Sequence, residues 1–155
     1  MIGFSAVANT LHALGAVVWV GGMFFAHMAL RPSVAVLDPP QRLNLWAEVF
    51  PRFFAWVWVA VITLNASGFG TVFVDFGGFA SAGVYVHAMA GTGVLMSLIF
   101  AYIFFVPYRA FRARVGVSDW PAAAAAQAAI RRLVATNLVL GLVTVVLGAG
   151  GRLME

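Results

Sequence analysis

The chain has no cysteine and no lysine, and it carries only five acidic residues. Without thiols there can be no disulfide, no thiolate metal site and no cysteine nucleophile. The scarcity of charge is more telling. Charged residues make up 9% of the chain and hydrophobic ones 63%, with a mean hydropathy of +0.99. Soluble domains use roughly 25% charged and 45–50% apolar residues, so a water-soluble fold is excluded. Hydrolytic chemistry is also excluded. No acid falls inside an apolar run, no glycine-rich phosphate loop follows a strand, and no serine is matched with a histidine and an acid.

What is present is four long apolar runs, at about 4–30, 53–73, 83–107 and 130–150. Each approaches or exceeds the ~20 residues that cross a bilayer core. Because lipid cannot satisfy backbone polar groups, the predicted fold is all-α, a single transmembrane domain over residues 1–155. The first run is too long for a signal-peptide core and is expected to be retained. Pro32, Pro51 and Pro107 fall at the edges of the runs. Between the first two spans, Asp38-Pro39-Pro40 predicts a turn. Gln41 to Phe50 then predicts a short amphipathic stretch at the membrane surface, with Trp46 at headgroup depth and Trp56 and Trp58 completing an aromatic belt. After Trp120-Pro121, an alanine-rich helix is expected to run straight into the fourth span.

All nine basic residues are arginines. Eight lie in the first and third connections (Arg31, Arg42, Arg52, Arg109, Arg112, Arg114, Arg131 and Arg132), and the ninth is Arg152 in the tail. Such arginines orient a membrane protein and do not point to nucleic acid. The expectation is an up-down-up-down four-helix bundle with both termini outside, as a multi-pass protein of a bacterial inner membrane.

Ionisable residues within spans are costly and tend to mark function. Three histidines pass that filter. His12 lies about eight residues, or roughly 12 Å, inside its span, and His87 about five residues, or roughly 7 Å, inside the third. First and third helices of such a bundle are usually diagonal and roughly 12–14 Å apart. Two imidazoles reaching inward across that gap predict a haem b with His12 and His87 as axial ligands. Gly15, Gly91, Ala66, Ser67 and Gly68 would give the porphyrin room, with Trp19 near it and Asn9, Thr10, Tyr85 and Arg152 meeting its propionates. The role would be electron transfer or porphyrin-linked oxidoreductase chemistry. Membrane lipid, a redox partner such as a quinone, and a second copy of the chain are the partners this class admits.

The alternative is copper binding or transport across the inner membrane. His27 shares a helix face with His12, Trp19 and Met23, and Met23, Met28, Met89 and Met96 offer thioethers suited to copper(I). Methionine is equally an ordinary apolar filler, and a membrane histidine or the span amides Asn65 and Asn137 can serve helix packing alone. In that third case the protein is a scaffold.

The run from Leu11 to Phe25, in which His12 is followed seven residues later by Trp19-Val20-Gly21-Gly22, closes at Leu30-Arg31-Pro32. It resembles the first span of the copper resistance protein D family, and equally that of the related cytochrome-like membrane protoporphyrinogen oxidase family. Tyr85-Val86-His87-Ala88-Met89 and Arg131-Arg132-Leu133 with Asn137 are similar to later stretches of the oxidase family. Met89 stands where that family has lysine, and Leu138 where it has glutamate. The resemblance implies a membrane-embedded haem b or copper site using the first-span histidine.

Overall fold

The computed structural model describes residues 3–151. Four helices are long and apolar enough to cross a membrane: α1 Phe4–Val36, α2 Pro39–Asp75, α3 Val84–Gly116 and α4 Trp120–Gly150. The connections are short, so consecutive helices run antiparallel. α1 packs along α2 and α3 along α4, and the second half of α1 also reaches α4. α1 and α3 are the diagonal pair, meeting where the Trp19 ring sets its edge to Phe100 at 6.2 Å.

α2 differs from the sequence expectation. Pro39 and Pro40 do not merely end a turn; they occupy the first helical positions, where a missing N–H costs nothing. The 37-residue helix then continues through Pro51. The stretch from Gln41 to Phe50 is therefore its first turns and not a separate surface helix. Trp46, expected at headgroup depth, is buried together with Leu43, Phe50, Phe54 and Val57. Of the proposed belt, Trp56 faces outward, whereas Trp58 packs on Phe100 and Phe104.

Local backbone chemistry sets the other breaks. Val106 leaves helical geometry (φ −114°, ψ −82°) because a residue before proline is driven out of the α region, and α3 resumes at Pro107. Two wide π-type turns, Val17–Gly21 and Ala26–Leu30, interrupt α1. The second immediately precedes Pro32, whose ring cannot be fitted into a regular turn below it. α2 ends on Gly77 and Gly78 at φ +69° and +122°, a path that side chains disfavour, and the Gly78 amide closes on the Val72 carbonyl at 3.0 Å. α4 starts with the Asp119 carboxylate accepting from the Ala122 amide, and its alanine run continues into the span as expected.

Packing inside the bundle follows membrane rules, in which small residues and interhelical hydrogen bonds replace the hydrophobic drive. Glycines on α1 and α4 receive large side chains: Gly22 faces Phe53, and Gly141 faces Val20 and Met96. The Asn65 amide donates to Ser97 Oγ at 3.0 Å, Asn137 donates to the Met96 carbonyl at 3.0 Å, and Thr144 donates to Thr92 at 2.8 Å. These tie α2 to α3 and α3 to α4, the packing role foreseen for the two amides. Toward the arginine-bearing end an aromatic core fills the bundle. Phe50 stacks on Phe54 at 5.2 Å, and the Tyr108 ring stands edge-on to Phe54 at 5.0 Å. Outward positions such as Val17, Ile62, Leu98 and Val146 are apolar and exposed, a surface suited to lipid.

A candidate metal-ligand layer and a basic cavity at opposite ends

His12 is half-buried between α1 and α2, with its Nδ1 2.9 Å from Ser67 Oγ. The single Ser67 hydroxyl hydrogen is directed at the Thr63 carbonyl, 2.6 Å away. The oxygen therefore accepts from the ring, so in neutral His12 the proton sits on Nδ1 and the Nε2 lone pair is free. Gly68 is small for a related reason: a Cβ there would stand 3.2 Å from His12 Cε1.

His87 sits in the first turn of α3, with Nδ1 3.0 Å from the Gly83 carbonyl. A carbonyl can only accept, which again puts the proton on Nδ1 and leaves Nε2 bare. Both histidines thus present the tautomer that second-shell oxygens usually impose on metal-ligating imidazoles. The His87 ring lies 5.6 Å from Phe79, which packs in turn on Phe69 and Phe73 of α2.

Helix register brings the two to a similar height. Val20 of α1 and Met96 of α3 both abut Gly141 of α4. His12 precedes Val20 by eight residues and His87 precedes Met96 by nine, which at 1.5 Å per residue gives about 12 and about 13.5 Å toward the same end. Their environments differ, however. His12 looks into the α1/α2 seam, whereas His87 is exposed, so the expected pair of imidazoles both reaching into the bundle is not formed.

The residues expected to open a porphyrin slot have other uses. Gly15 is buried against Leu64, where an added Cβ would come within 2.9 Å of its Cγ. Gly91 is exposed, with nothing within 4 Å of an added Cβ. Trp19 is a core residue, and Tyr85 packs on Gly151. Arg152 lies outside the described residues. These positions therefore give no cleft fitted to a haem. Met23 is buried, as is Met96, and Met89 rests on Gly148. Among the described residues no group of three or more histidine or acidic side chains forms a metal cage.

His27 belongs to the other end. With Met28, Arg31, Arg42, Trp46 and Arg131 it lines a cavity of about 520 Å³. Neither this cavity nor the Ser67 contact was legible in the sequence. The arginines read as orientation signals, and Ser67 read only as a small residue at the right depth.

Residues 47–150 match the family model described as copper resistance protein D. The match takes in most of α2 and all of α3 and α4 up to Gly150, with His87, Met89 and Met96 inside it, while His12, Met23 and His27 on α1 precede it. No curated protein and no solved structure matches the chain.

Proposed function

The chain belongs to the copper resistance protein D family, and on that premise we propose that it binds copper inside the bilayer and carries it across the inner membrane. The family match over most of the chain carries this reading, and it favours copper over the haem b expected from the histidine pair. Two features of the chain support it. The Nε2 lone pairs of His12 and His87 are available at one level near the end opposite the eight loop arginines. Soft donors then continue down the bundle, with Met89, Met96 and Met23 inside it and His27 and Met28 at the arginine-bearing end.

Imidazole and thioether are the donors that copper(I) prefers, and among the described residues no carboxylate is buried in the bundle to hold a harder cation. In this scheme exposed His87 takes the ion first and His12 receives it at the α1/α2 seam. The ion then passes among thioethers by ligand exchange, without change of oxidation state. By the positive-inside rule the arginine-bearing end is cytoplasmic, so this direction is inward.

The test is elemental analysis of the purified protein after copper loading, read beside its visible spectrum. Near-stoichiometric copper in a protein without a Soret band is expected. A Soret band with no retained copper would overturn the proposal.

A further inference from the structure

The cavity at the arginine-bearing end, lined in part by His27 and Met28 of the proposed copper path, has a second feature that does not depend on copper. Arg31, Arg42 and Arg131 line it, and among the described residues no acidic one does. Arginines in cytoplasmic connections need only be near the membrane surface to orient a protein. Arg42 does more than that. Its Nη2 donates to the Ala35 and Leu37 carbonyls, at 3.3 and 2.9 Å, which draws the guanidinium in against the end of α1. Its Nε is buried and has no hydrogen-bond partner among the described residues. The guanidinium so fixed beside the cavity has no acidic partner among the described residues, and an anion in the cavity would offset the cost of holding that charge there.

The rest of the lining is largely of the opposite character. Trp46, Phe50, Phe53, Phe54, Ile130 and Val134 give it an extended apolar surface. A cavity of about 520 Å³ is also far larger than one oxyanion requires. Positive charge and apolar surface in one cavity match an amphiphile with an acidic head. Basic pockets between transmembrane helices at the cytoplasmic face are known receptors for such head groups.

We infer that this cavity binds an anionic phospholipid, its phosphate among Arg31, Arg42 and Arg131 and the start of an acyl chain against Trp46 and the phenylalanines. Bound there, the lipid bridges the end of α1, the first half of α2 and the first half of α4, so it stabilises the fold.

The full-length protein in a neutral detergent provides the test, by thermal unfolding with phosphatidylglycerol, phosphatidylcholine or inorganic phosphate added. Phosphatidylglycerol at a hundred times its dissociation constant is expected to raise the midpoint by roughly 5–10 °C, and the other two by much less. In the double variant Arg42→Gln, Arg131→Gln the apparent affinity for phosphatidylglycerol should fall at least tenfold. An equal shift with phosphatidylcholine, an equal shift with inorganic phosphate alone, or an unchanged response of the variant would each overturn the inference. Should the variant not fold, quenching by lipids brominated on the acyl chain decides on the native residues. The Trp46 emission, isolated by difference from Trp46→Phe, should be quenched more by brominated phosphatidylglycerol than by brominated phosphatidylcholine. Equal quenching would refute the site.

Discussion

Replacing Ser67 by alanine removes one oxygen atom and tests how the proposed copper ligand is held. In the native protein that oxygen accepts from His12 Nδ1 while its own hydrogen goes to the Thr63 carbonyl. In Ser67→Ala the ring loses its side-chain acceptor in a half-buried seam, and only the Leu64 backbone is left to hold its proton. An unpaired buried donor costs about 1–3 kcal/mol, so the thermal midpoint should fall modestly. Loss of a second-shell partner typically weakens a metal site about 10–100-fold, equivalent to about 1.4–2.7 kcal/mol. The assay is competition for copper(I) against a chromogenic chelator, run in a double-mutant cycle with His12→Ala. Ser67→Ala should weaken binding by that factor in the native background and add almost nothing once His12 is gone. Unchanged affinity in the native background, or an equal loss without His12, would refute the idea that Ser67 acts through the imidazole.

Further expectations follow from packing and orientation. Gly22→Ala would set a Cβ 2.6 Å from Phe53 Cε2. It should destabilise by about 1–3 kcal/mol, seen as a lower midpoint in detergent, because a ring half-held by its neighbours must shift. Asn137→Ala loses one bond to the Met96 carbonyl but also removes a buried Oδ1 that has no partner among the described residues. Membrane hydrogen bonds of this kind average about 0.6 kcal/mol, so the midpoint should change little and copper binding not at all. Since the chain has no cysteine, single cysteines report its orientation cleanly. In sealed inverted vesicles an impermeant maleimide should label Ser118→Cys and spare Ser81→Cys, and the reverse pattern would invert the proposed topology.

Hydropathy made the four spans legible, and the alanine run entering α4 was read correctly. The extent of α2 was missed because prolines and charges were taken as breaks. Yet Leu43, Trp46, Phe50, Phe54, Val57 and Val61 follow one another at intervals of three and four, a continuous helical stripe through Pro51. That stripe also marks Trp46 as a core residue, where its identity alone argued for the membrane surface.

At the site, depth was readable and rotation was not. Counting residues placed His12 and His87 at a similar height. Which way each ring turns depends on how the helices are rotated about their axes, and hence on contacts such as Leu64 filling the space beside Gly15. That contact makes Gly15 a packing glycine, and His87 on α3 turns out exposed. Arg42 shows the same limit. Its sequence position puts it at the arginine-bearing end of the bundle, but only folding α1 beside α2 shows that two backbone carbonyls hold it over a cavity.

X-ray absorption at the copper edge of the loaded protein addresses the central claim most directly. The native protein should show nitrogen neighbours with the multiple-scattering pattern of imidazole, and the variant His12→Ala, His87→Ala should lose that pattern together with most of its copper. Bound copper ringed only by sulfur or oxygen in the native protein, or an imidazole pattern that survives both substitutions, would contradict the account.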